Sequence, residues 1–140
     1  MQLVRRLSLA TLSAALLLGA CWNDDDDPIG PTTAQVVGTY RATTFTATGP
    51  LGADNILQSG GSLTATFNAD GTVTGHVTIP SQSVNEDFQA TWKIDGRKVE
   101  IEEGSTDNFV EDLEFSVVGA TLVADETFSG VRVQLTLTKQ

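Results

Sequence analysis

The feature that most constrains this chain is an alternation of apolar and polar residues with period two, which runs through almost everything after residue 35. It is clearest at the end, where Val131, Val133, Leu135 and Leu137 are separated by Arg132, Gln134 and Thr136. Leu63, Ala65 and Phe67 alternate with Thr64 and Thr66, and Val73, Gly75, Val77 and Ile79 with Thr74, His76 and Thr78. Phe88, Ala90, Trp92 and Ile94, then Val99 and Ile101, then Leu113, Phe115 and Val117, continue the pattern. Side chains of a strand point to opposite faces in turn, so each run has one dry face and one wet one. The Thr, Val and Phe content suits strands, and no helical period competes.

Turn chemistry links these runs as neighbours. Asn68-Ala69-Asp70-Gly71 places a glycine where a three- or four-residue hairpin needs positive φ, and Asp95-Gly96 reads as a two-residue type I′ turn. Gly104-Ser105-Thr106, Val118-Gly119-Ala120 and Ser129-Gly130 mark further reversals. About eight strands result, over 35–48, 62–68, 71–79, 86–94, 97–103, 107–117, 120–126 and 130–139. With one apolar face each and no long helix to cover it, they are expected to close into an all-β, eight-stranded antiparallel up-and-down barrel. The segment Gly49–Gly61, with Ile56 and Leu57, is either a lid over one end of that barrel or a plain connection.

The start of the chain is different in kind. Arg5 and Arg6, an apolar stretch from Leu7 to Leu18, and small residues after it form a secretory signal over residues 1–20, too short to remain as a membrane span. Leu18-Gly19-Ala20-Cys21 resembles the lipobox of bacterial lipoproteins, which implies cleavage before Cys21 and acylation, palmitate included, of its sulfur. Asp24–Asp27 and the Pro/Gly/Thr-rich residues behind them make 21–34 a flexible tether, with Gly30 free inside it, and leave 35–140 as the barrel domain. The acidic run is either a spacer that holds the barrel off anionic head groups or, as its resemblance to surface-export signals implies, an address. The expected place is the bacterial cell envelope, on the outer membrane or cell surface, with the membrane itself as partner through the anchor.

Charge and composition remove other classes. Net charge is −10, and loss of Arg5 and Arg6 with the signal leaves −12, so a nucleic-acid partner is not expected. One histidine, His76, and one cysteine, already committed to the anchor, leave no zinc or copper ligand set, and no cofactor is expected.

Gly38-Thr39-Tyr40, Phe67-Asn68-Ala69-Asp70-Gly71-Thr72 and Trp92 through Gly96 resemble a short bacterial lipocalin-like domain of the calycin type. The sequence departs from that family at Tyr40, where lipocalins carry tryptophan, and lacks both a carboxy-terminal helix and a disulfide. The resemblance implies a barrel that holds a small hydrophobic ligand, with Phe67, Phe88, Trp92 and Phe115 as its walls and room beside Ala65, Gly75 and Ala90. The competing reading is a structural or interaction protein with a filled barrel. No catalytic residue is assigned. His76 falls on a wet face, and Glu100, Glu102, Glu103, Asp107, Glu111, Asp112 and Glu114 read as a solvated surface. Arg132 falls on the outside of the last strand, within possible cation-π reach of Tyr40 if the barrel closes.

The membrane-purified protein is expected to begin at an acylated Cys21 and a Cys21→Ser form to stay unmodified. Intact-mass measurement checks this, and a free thiol at residue 21 would exclude the anchor.

Overall fold

A computed structural model describes residues 30–104 and 113–140. Residues 1–20, expected to be a signal segment, Cys21 and the Asp24–Asp27 run lie outside the described residues, as do Asp107, Glu111 and Asp112. The elements are a one-turn helix α1 (Thr33–Val36) and the strands β1 (Gly38–Gly49), β2 (Gly52–Asn55), β3 (Ser62–Phe67), β4 (Thr72–Ile79), β5 (Val84–Asp95), β6 (Lys98–Gly104), β7 (Glu114–Val118), β8 (Thr121–Phe128) and β9 (Val131–Lys139). All pairings are antiparallel, in the order β2-β1-β3-β4-β5-β6-β7-β8-β9, and β1 also pairs with β9. That last pairing closes β1 and β3–β9 into the expected eight-stranded up-and-down barrel.

Strand β1 does more than alternation alone foretells. Its first half pairs with β3 from Gly38↔Phe67 to Arg41↔Thr64, while its second half pairs with β2 from Thr46↔Asn55 to Gly49↔Gly52. Against β9 the register slips, Ala42 facing Leu137 and Thr44 facing Thr136, so Thr43 is an extra residue. A bulge of this kind exchanges the two faces of a strand. Tyr40 and Ala42 point inward before it, Phe45 after it, and Ala47 follows Phe45.

Short β2 is the strand that the sequence left in a connection. Helix α1 replaces the expected extended start at residue 35, and the Gln35 side chain accepts from the Thr32 amide (2.7 Å), as in the reciprocal half of a capping box. Val36, fully buried, plugs that end of the barrel, and the Tyr40 hydroxyl donates to its carbonyl (2.8 Å). Tyr40 packs edge to face on Phe67 (5.5 Å between centroids), and Phe67 does the same on Trp92 (5.8 Å). Such pairs add about 1 kcal/mol each to the burial itself. The Trp92 indole N–H donates to the Asn68 carbonyl (3.0 Å), so the stack is tied to the β3–β4 turn. This end is closed.

Three local expectations are corrected. The β5–β6 loop is Gly96-Arg97, between paired Asp95 and Lys98, and only Gly96 has positive φ (+57°), the sign pattern of a type II′ rather than a type I′ turn. The cation over the Tyr40 ring is Lys139 (5.8 Å to the centroid), because Tyr40 pairs with Lys139, whereas Arg132 sits opposite Thr48 at the other end of β1 and binds Asp125. Gly30 is not free: a Cβ there would overlap the Gly96 carbonyl oxygen.

Gly96→Val is therefore expected to cost about 1–3 kcal/mol through its backbone conformation. Gly30→Val is expected to lower stability as well, by forcing the segment before α1 off the β5–β6 turn. Thermal melts of both variants check this; an unchanged midpoint for Gly30→Val would mean that the contact carries no stability.

Candidate functional site

The two ends of the barrel differ. The end with α1 is plugged, while at the other the β1–β2 hairpin and the residues after it fold across the mouth. Ile56, 2% exposed, is inserted there, with its amide bonded to the Phe45 carbonyl (2.9 Å). Beside it lies an apolar recess of about 180 Å³, lined by Ile56, Phe45, Ile79 and Val133 and, nearer the rim, by Ala47, Phe128, Val131 and Gln82. The bulge in β1 is what turns Phe45 and Ala47 toward it.

The roof is held at two further points. Asp54 accepts from Ser59 within its own turn (2.9 Å) and from Ser81 of the 3-10 turn after β4 (2.9 Å). Both bonds face solvent, where each is worth about 1 kcal/mol at most. Burying Ile56 is worth roughly 1.5–3 kcal/mol. The apolar insertion therefore closes the mouth, and the Asp54 clasp sets where the roof lands.

The residues expected as ligand walls all face the interior and are buried. Phe67 and Trp92 meet in the stack near the plugged end. Phe88 lies against Gly75, where a Cβ would strike its ring, and Phe115 sits opposite Val99 in the β6–β7 pair. None of the four lines the recess. Ile56 stood out in the sequence within a candidate lid, but Phe45 and Phe128 did not stand out as site residues. Phe128 keeps the inward phase of Leu122 and Ala124, and that was the available signal. Phe45 is out of phase with Tyr40 and carried none.

On the outer face of β4, His76 Nδ1 lies 2.8 Å from an Asp87 carboxylate oxygen and Nε2 lies 3.0 Å from the Asn85 side-chain oxygen. Both ring nitrogens thus face acceptors, which favours the doubly protonated ring. The hydrogen bond to Asp87 is the main cause of a raised His76 pKa, with Asn85 adding to it. Glu100 and Glu102 pair with Lys93 (3.3 and 2.6 Å) on the same outer surface. Among the described residues no polar or charged residue is buried, and no group of three or more His, Cys, Asp or Glu is placed to hold a metal.

A family model described as a lipocalin-like domain matches residues 36–124, from the buried end of α1 into β8. The chain belongs to the lipocalin-like family. No curated protein and no solved structure matches it significantly. As a lipocalin-like barrel, it combines a plugged end beside the Gly38-Thr39-Tyr40 segment with a roofed mouth, and the recess in that mouth is the candidate site.

The His76 pair gives a pH dependence of defined sign. A raised folded-state pKa means that its stabilisation is fully present below the ordinary imidazole value of about 6.5 and is lost as pH rises through the raised value. Asp87→Asn is expected to bring the His76 pKa down toward the ordinary value, measured by NMR titration of the imidazole. An unmoved titration would remove Asp87 as the cause.

Proposed function

We propose that this lipocalin-like protein is a membrane-anchored lipoprotein of the bacterial envelope that takes a small hydrophobic molecule at the mouth of its barrel. The observation that carries the ligand reading is the apolar recess in the mouth beside Ile56, lined by Phe45, Ile79 and Val133 as well. At about 180 Å³ it is near the size of an engineered cavity that binds benzene, about 150 Å³, and below the usual ligand range of about 300–1,000 Å³. A larger ligand would have to displace Ile56, which lines the recess.

The anchor reading rests on the Leu18–Cys21 run, and the geometry is compatible with it. Gly30 lies against the β5–β6 turn at the plugged end, so the chain leading back to Cys21 leaves from the side opposite the mouth. Nine residues from Cys21 to Ile29 span at most ~30 Å. A barrel tethered this way has its mouth turned away from the attachment point. Binding, not catalysis, is the reading that its family and its solvent-accessible, lysine-paired carboxylates support.

The second reading, a structural lipoprotein with a filled barrel, is favoured by the packing of Tyr40, Phe67 and Trp92. The two separate in one experiment. N-phenyl-1-naphthylamine added to the purified chain is expected to brighten saturably and to be displaced by a medium-chain fatty acid. Ala47→Phe, which fills the recess from its rim, is expected to weaken probe binding about tenfold, or ~1.4 kcal/mol, while keeping the melting temperature. Equal binding by both forms would remove the recess as the site, and no saturable signal would leave the filled barrel. Trp92 lies in the closed-end stack, so an added probe reads the mouth more directly than its emission does.

A further inference from the structure

A second concavity lies outside the barrel, and nothing in the recess depends on it. On the wet face, Thr66, Thr74 and Gln89 form one cross-strand row, and Thr64, His76 and Asp87 form the next. Between them runs a trough of about 550 Å³ whose floor is the backbone of Ala65, Gly75 and Phe88, paired across β3, β4 and β5. The floor is unusually tight: at Gly75 an added Cβ would meet both the Thr64 carbonyl and the Phe88 ring beneath, so strand and ring approach as only glycine permits. Thr39, whose hydroxyl lies 3.1 Å from that of Thr66, extends the first row onto β1.

The chemistry of the walls is uniform. Threonine hydroxyls both donate and accept, Gln89 offers an amide, and His76 is held in place by Asp87 and Asn85. The ionisable groups lining the trough are His76 and Asp87, which neutralise each other when the imidazole is protonated. Phe88 belongs to the floor with its side chain buried on the barrel side, and the His76 ring is taken up by polar partners, so an apolar ligand finds little there beyond threonine methyls. An anionic ligand meets a chain of net charge −10. What fits is a neutral, elongated molecule covered in groups that donate and accept at once. The rows stand about 6.7 Å apart along the strands, and three strands give a run of about 10 Å across them.

We infer that this trough is a second binding site, for a neutral oligosaccharide chain lying across β3, β4 and β5 between the Thr66-Thr74-Gln89 and Thr64-His76-Asp87 rows. The ring hydroxyls exchange hydrogen bonds with the rims, and the sugar C–H faces rest on threonine methyls. The site is independent of the mouth, and its occupation leaves the apolar recess available.

The test is titration of the purified full chain with maltohexaose, cellohexaose and chitohexaose, followed by amide NMR. At least one is expected to give saturable shifts at Thr64–Thr66, Thr74–His76 and Asp87–Gln89. Thr66→Val with Thr74→Val keeps β-branched shape and removes two hydroxyls. It is expected to weaken binding about tenfold while the melting temperature and N-phenyl-1-naphthylamine response stay unchanged. His76→Gln is expected to weaken it as well. The proposal is overturned by no saturable shift with any of the three sugars, by shifts that map to the mouth, by an affinity the double variant leaves intact, or by binding only to an anionic oligouronate.

Discussion

The pairing of β1 with β9 is the interaction on which the rest depends. An open sheet of eight such strands would leave two edges of unpaired backbone groups and a dry face with nothing to cover it. Joining Tyr40 through Thr48 to the last strand removes both problems, since the dry faces then cover one another around a common interior. Every buried side chain in the described residues belongs to this one core. The few residues outside strands that join it, Val36, Ile56 and Leu113, come from segments at the barrel's ends.

Closure also imposes an asymmetry between the ends. Strand β1 has to serve β9 along nearly its whole length, β3 at its start and β2 at its finish. The bulge at Thr43 reconciles these demands and re-aims the side chains after it. At the near end the result is a tied stack, Val36 over Tyr40, Phe67 and Trp92, with two hydrogen bonds fixing the polar tips of the aromatic residues. At the far end the result is an apolar recess beside Ile56. The tied stack and the apolar recess thereby fall at opposite ends, and the outer threonine rows lie on a surface that neither uses.

Much of this was legible beforehand, for physical reasons that can be named. The runs at 62–68, 71–79 and 130–139 became β3, β4 and β9 within a residue or so at each end, because strict alternation over a half-buried face has no competing interpretation. The inward placement of Phe67, Phe88, Trp92 and Phe115 followed from the same phase. The turn at Asp95-Gly96 was placed correctly as a reversal but one residue early, since Asp95 still pairs with Lys98 and the glycine takes the first loop position. Tyr40 was paired with the wrong cation because only the β1–β9 register, which the sequence does not carry, sets Lys139 opposite Tyr40 and Arg132 opposite Thr48.

By itself the sequence determined the barrel strands, though not β2, their dry faces apart from the second half of β1, the reversals between them and the need for a closed sheet. These are local properties: two-residue periodicity, positive-φ positions and apolar length are written in neighbouring residues. Only the tertiary structure decided the rest. The phase change at Thr43 exists because β1 must match a partner some ninety positions away, Thr43 hydrogen-bonding to Thr138. Ile56 is buried because the β1–β2 hairpin returns over the mouth, and Gly30 is a packed residue because the segment before α1 lies against the β5–β6 turn. Each of these depends on which distant segments meet, and period and composition carry no record of that.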